Sequence, residues 1–368
     1  MLSVELVISR NRKLTTARTA GTTLRRLDDG GAVADGPVVY VQDRFAHGEM
    51  SRDFRQNRPE DASRPSALAV GVHQDLGFAS VFVTAPDGLR LHARRYGSRG
   101  ASALPVVCLP GLARTAADFH PLAAAMAADP AKPRLVLALD YRGHGQSEYD
   151  RNPDNYTLPV ALADLSAVLI ALEIAPAIFV GTSYGGLLAM MLAVWRPTAI
   201  AGVVLNDIGP VMEPRGLVRI KGYVGKLPVP RSFEEGAEIL RWWFEAQFPK
   251  LAPQDWLAFA QRTWRKHAGR LVTDYDLKLA QTLQGADPQH LPTLWNHFDA
   301  LARVPLMVIR GANSDMLAPP TLDAMLSRRN ELEVTVVPDQ GHAPLLTELK
   351  LIRQILAFVA SCDVSARR

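Results

Sequence analysis

Residues 177–189 read AIFVGTSYGGLLA, and the fold follows from how they are read. Ile178, Phe179 and Val180 are an apolar, partly β-branched run of the kind that forms a buried strand. Gly181-Thr182-Ser183-Tyr184-Gly185 then gives the pattern G-x-S-x-G, after which small and apolar residues continue into a helical run. A serine exposed on a sharp strand-to-helix turn needs neighbours without bulk two residues away on each side, so that strand and helix can pack closely. Gly181 and Gly185 meet that need. The helix start after Ser183 also aims free backbone N–H groups at the point where charge develops on a reacting carbonyl oxygen. Ser183 is the candidate nucleophile, and Tyr184 N–H one candidate oxyanion donor.

Outward from this stretch, strands and helices alternate. Residues 80–97, SVFVTAPDGLRLHARRYG, alternate apolar and polar positions around Pro86-Asp87-Gly88, which predicts a hairpin. A strand is expected at 105–109, a helix at 116–128, a strand at 135–139 and a helix at 158–172 ahead of the serine strand. Further strands are expected at 201–205, 306–309 and 332–337, with helices at 320–327 and 345–359. This rhythm predicts an α/β protein with a mostly parallel, doubly wound sheet. Residues 210–298 break it. They contain no convincing strand and carry aromatic residues at helical spacings, so they read as an inserted helical cap. Most of these aromatics are expected to form the cap's own core, while Trp242, Trp243 and Phe248 are candidates for an apolar substrate pocket. The core is then 77–209 and 299–368.

A serine hydroxyl needs a histidine to accept its proton, and the histidine needs a carboxylate to hold its tautomer and orientation. His342, in Gly341-His342-Ala343-Pro344, follows the last strand and so lies at the sheet's carboxyl edge. His144 reads as a turn-organising residue, and His120, His267 and His297 as surface or packing residues in helical contexts. For the acid, Asp315 in GANSD follows the strand at 306–309 and is the expected choice; Asp207, in Asn206-Asp207-Ile208-Gly209, is the competitor. The second oxyanion donor is expected from the loop after the strand at 105–109, as Leu112 N–H beside Gly111.

Together, GTSYGG, GANSD, GHAP, the LPGL loop at 109–112 and the DYRGHGQS segment at 140–147 resemble the α/β-hydrolase superfamily from about Ala79 to Val359. LNDIGP and the cap texture are similar to bacterial esterases and lactonases. Pro110 departs from the pattern, standing where many members carry a histidine. The resemblance implies a cofactor-independent serine hydrolase that cleaves a carboxylic ester or lactone through an acyl-enzyme. Carbon–carbon bond hydrolysis, acyl transfer, perhydrolysis and a non-catalytic ligand receptor are the alternatives on the same scaffold.

The bulk composition agrees with a globular domain: of 368 residues, 48% are hydrophobic and 21% charged. A net charge of +4 without a dense basic face gives no sign of nucleic-acid binding. The two cysteines, Cys108 and Cys362, lack metal-ligand spacing and read as reduced thiols of a cytoplasmic protein. No metal or other cofactor is expected. No apolar stretch reaches the roughly 18 residues of a membrane span, and the expected partner is a small substrate with a hydrophobic acyl group. Oligomeric state has no signature here. Residues 1–76 are polar and arginine-rich, with a strand-like run at 38–41. They read as a poorly ordered extension, the alternatives being a transit peptide or a stretch upstream of a translation start near Val70 or Val72.

Overall fold

The computed structural model describes residues 41–43 and 77–365. The chain divides into two compact units, Met1–Val38 and Val39–Arg368, and the first lies outside the described residues. So does nearly all of the expected N-terminal extension.

Strands β1 (Val41–Asp43), β2 (Ala79–Thr84), β3 (Arg90–Tyr96), β4 (Val106–Leu109), β5 (Val136–Asp140), β6 (Ala177–Thr182), β7 (Ile200–Asn206), β10 (Leu306–Gly311) and β11 (Glu333–Val337) form one sheet. Their order is β1-β2-β3-β5-β4-β6-β7-β10-β11. The first three pair antiparallel and β3 joins β5 antiparallel, after which every pairing is parallel. This is the doubly wound α/β sheet that the alternating sequence predicts.

Alternation along the strands sends side chains into two separate cores. On β6, Ala177 and Phe179 join one apolar cluster, while Ile178 and Val180 join the other. Helices α1 (His120–Ala127) and α9 (Leu349–Ser365) cover the second face, contributing Leu122, Met126, Ile355 and Phe358. Helices α2 (Leu158–Ala171), α3 (Tyr184–Trp195) and α8 (Pro319–Arg328) cover the first, with Leu165, Leu188 and Met325. Burial on both faces is why these strands read as continuous apolar runs.

Between β7 and β10 lie α4 (Pro214–Tyr223), α5 (Phe233–Phe244), α6 (Pro253–Thr263) and α7 (Trp295–Asp299). The expectation of no strand here needs correction, because β8 (Trp264–His267) and β9 (Arg270–Thr273) form an antiparallel hairpin. Its turn, Ala268-Gly269, holds both residues at positive φ without the Asn-Gly or Asp-Gly pair that usually announces such a turn. His267 therefore stands on a strand, not a helix. The insertion has its own core of Leu240, Phe244, Phe248, Trp256, Phe259 and Trp264, among others. No described helix is long and apolar enough to cross a membrane.

The closest packing lies where β6 turns into α3. A Cβ added to Gly181 would sit 2.6 Å from the Gly185 carbonyl carbon, and one added to Gly185 would sit 2.1 Å from the Leu109 carbonyl oxygen. Both obstacles are backbone, which cannot swing aside. Gly185→Ala is accordingly expected to cost about 3 kcal/mol or more, measured by urea unfolding; a change below about 1 kcal/mol would mean that β4 and α3 are not in this contact.

Candidate active site

Three loops meet at the carboxyl edge of the parallel strands. Ser183 occupies the turn between β6 and α3 with φ +51° and ψ −112°, a conformation that non-glycine residues rarely adopt. The strain is held from both sides. Ser183 N–H donates to the Asn206 carbonyl at 3.0 Å, and its own carbonyl accepts from Gly186 and Leu187 N–H. Asn206, fully buried at the end of β7, donates through Nδ2 to Thr182 Oγ1 and to the Pro344 carbonyl, each at 3.0 Å. One side chain thereby ties the serine turn to the histidine loop.

His342 Nε2 lies 2.8 Å from Ser183 Oγ, and His342 Nδ1 lies 2.8 Å from Asp207 Oδ2. A carboxylate accepts only, so the proton belongs on Nδ1 and Nε2 is left to accept from the serine hydroxyl. The acid on the histidine is thus Asp207, and the expectation of Asp315 is corrected. Asp315 instead takes a two-pronged bond from Arg219 on α4, Nε at 2.7 Å and Nη2 at 2.8 Å. Burial pushes the Asp315 pKa up, but the Arg219 hydrogen bonds and charge outweigh it and hold the group below the usual carboxylate range. The GANSD loop still serves the acid, by supplying donors. Gly311 N–H donates to Asp207 Oδ1 at 2.8 Å and Ser314 Oγ donates to Oδ2 at 2.6 Å, around a carboxylate with no exposed surface.

Two further contacts escaped the sequence reading. Gln247, in the insertion, accepts from His342 N–H through Oε1 at 2.9 Å, and its carbonyl accepts from Asn313 Nδ2 at 3.3 Å. His144 has the turn-organising place expected of it: Nδ1 donates to the Arg142 carbonyl at 2.9 Å and Nε2 accepts from Ala113 N–H at 3.2 Å. Burial lowers the His144 pKa, which favours the neutral form able to accept in that way. Tyr141 Oη donates to the Pro110 carbonyl at 3.0 Å, so the loop carrying Leu112 is braced on both sides of Leu112.

That loop approaches the nucleophile: a Cβ placed on Gly111 would lie 3.8 Å from Ser183 Cβ. Among the described residues, neither Leu112 N–H nor Tyr184 N–H has a hydrogen-bond partner. The aromatic candidates divide. Phe248 borders a cavity of about 80 Å³ that also touches Ala113, Phe244, Phe259 and His342. Trp243 packs against the insertion's core. Trp242 is 78% exposed, so its assignment to a pocket is corrected; two residues from both Leu240 and Phe244, about 200° around the helix, it points away from the buried side of α5. No group of three or more His, Cys, Asp or Glu among the described residues converges as metal ligands.

Residues 106–353 match the model of the alpha/beta hydrolase family. The chain belongs to that family. A 3-hydroxybutyrate-oligomer hydrolase of Cupriavidus necator is 32% identical over 284 residues, covering 74% of this chain and 93% of its own. Among solved structures, an alpha/beta hydrolase from Novosphingobium aromaticivorans is 40% identical with a TM-score of 0.72, covering 77% of this chain and 98% of that one. An esterase from Exiguobacterium antarcticum shares the fold at 17% identity and a TM-score of 0.58, covering 76% of this chain and 98% of that one.

The geometry separates the two aspartates. Asp207→Asn is expected to slow labelling of Ser183 by a fluorophosphonate probe by about 10³- to 10⁴-fold, while Asp315→Asn stays within about one order of magnitude of wild type. Labelling kinetics followed by intact mass would reverse the assignment if the two effects were exchanged.

Proposed function

We propose that this alpha/beta hydrolase cleaves carboxylic esters through an acyl-enzyme. The observation that carries the reading is the unbroken hydrogen-bonded line from Ser183 Oγ through His342 to Asp207. Ser183 Oγ bonds to the ester carbonyl carbon as its proton passes to His342 Nε2. The carbonyl π electrons move onto oxygen, and Leu112 and Tyr184 N–H groups are the proposed donors to that oxyanion. Collapse of the tetrahedral species breaks the bond to the alcohol oxygen, which leaves with the proton from His342. Water then repeats the sequence on the acyl-enzyme and frees Ser183. Asp207 keeps the imidazole in the required tautomer and stabilises the imidazolium. The chemistry asks for no cofactor.

The similarity to a 3-hydroxybutyrate-oligomer hydrolase favours esters of hydroxy acids over other acyl compounds. The apolar cavity beside His342, bounded by Phe244, Phe248 and Phe259, suits a short hydrophobic acyl group. A cytoplasmic location is part of the same reading, since Cys108 and Cys362 are both unpaired. The test is hydrolysis of a series of short-chain p-nitrophenyl esters and of 3-hydroxybutyrate dimers and trimers. Ser183→Ala is expected to remove turnover by at least about 10⁴-fold; turnover that survives the substitution would assign the chemistry elsewhere.

A further inference from the structure

Beside the serine turn lies a second cavity of about 80 Å³, whose wall includes Thr182 and Ala343, the neighbours of the nucleophile and the histidine. Most of its lining is apolar, with Phe119, Phe259, Pro344 and Leu346. Against that background stand Arg114, Asp118 and Arg262. Arg114 and Phe259 also border the cavity at His342, so the two spaces share a wall.

The charges in this wall do not balance. Arg114 forks onto Asp118, Nε at 2.7 Å from Oδ2 and Nη2 on Oδ1, and its Nη1 donates to Thr263 Oγ1 at 2.7 Å. Its guanidinium also lies 4.8 Å from the centre of the Phe259 ring, which fixes its plane. Asp118 is thereby occupied. Arg262, on α6, reaches it only through Nε at 3.5 Å. Asp255, the other acid near Arg262, is turned to the start of α6, where it accepts from Ala252 N–H at 3.1 Å. Burial, with the charge of Arg114 beside it, pulls the Arg262 pKa below the usual guanidinium range. Two guanidinium groups, each with less than a fifth of its side chain exposed, therefore face one carboxylate. A half-buried cation without its own counter-ion is costly unless something else supplies the negative charge.

We propose that Arg262 and Arg114 form a carboxylate-binding subsite, and that the substrates of this protein are esters carrying a second, free carboxylate. This rests on the ester-hydrolase reading and narrows its substrate class. The planar fork of Arg262 suits a carboxylate in shape as well as charge, and Arg114, whose own fork is held by Asp118, adds its charge beside it. The position beside Thr182 and Ala343 puts a bound carboxylate a short chain away from Ser183. Hydroxy-acid oligomers, which keep one free acid terminus, have this chemistry.

The experiment compares monoethyl adipate and monoethyl suberate with ethyl hexanoate and ethyl octanoate, acid release being followed by pH-stat. Wild type is expected to favour the anionic ester of each pair by at least about tenfold in kcat/KM. Arg262→Met is expected to lower that ratio by roughly 10- to 100-fold, with Arg262→Lys recovering part of it. Equal or poorer use of the anionic esters by wild type, with the neutral ones hydrolysed, would overturn the subsite and leave the ester-hydrolase reading standing. A ratio untouched by Arg262→Met, in a variant that still hydrolyses the neutral esters, would do the same. Silence on all four esters from protein whose Ser183 is labelled by a fluorophosphonate would overturn the ester reading and the subsite with it.

Discussion

The carboxyl edge of this sheet depends on one buried carboxylate. Asp207 has no exposed surface, and a carboxylate in that position is tolerable only while its oxygens are fully occupied by donors. Three groups occupy them: Gly311 N–H, Ser314 Oγ and His342 Nδ1. They come from the last residue of β10, the loop after it and the loop after β11, while Asp207 itself follows β7. The demand of one side chain for donors therefore draws three strand ends into register. The same demand fixes the imidazole, since a ring rotated away from Asp207 would strip the acid of a bond that nothing else nearby replaces.

This arrangement explains which parts of the site were legible in the sequence. Ser183 was, because its requirement is local: close packing of β6, α3 and β4 excludes side chains at Gly181 and Gly185, and that exclusion is written as two glycines at fixed spacing. His342 was legible from its place after the last strand. The acid was not, because Asp207 and Asp315 both follow strands and both fall between Ser183 and His342 in the chain. What separates them is a partner 96 residues away, Arg219, which takes both oxygens of Asp315. The segment from Gly311 to Asp315 carries an acid of its own in sequence, yet its backbone N–H and Ser314 hydroxyl serve an acid presented elsewhere.

The insertion follows the same rule at the level of packing. Leu240, Phe244 and Phe248 recur every four residues and lie in its buried core, as do Trp256, Phe259 and Ala260 on the facing helix. That spacing was present in the sequence and orders the aromatics better than their size does. Trp242 and Trp243 are adjacent, so they lie about 100° apart around α5 and cannot share one face. The β8–β9 hairpin was less accessible, because its turn relies on an alanine held at positive φ by the surrounding structure.

The insertion is also bound into the chemistry by polar contacts. Gln247 takes the backbone N–H of His342, and Arg219 takes both oxygens of Asp315, one residue beyond the serine that donates to Asp207. Moving α4 or the segment after α5 away from the core would leave a half-buried carboxylate without its cation and a histidine-loop N–H without its acceptor. Each such loss carries an order of about 1–3 kcal/mol where water cannot enter freely. Gln247 and Arg219 therefore tie the insertion to the loops that hold the imidazole and its acid.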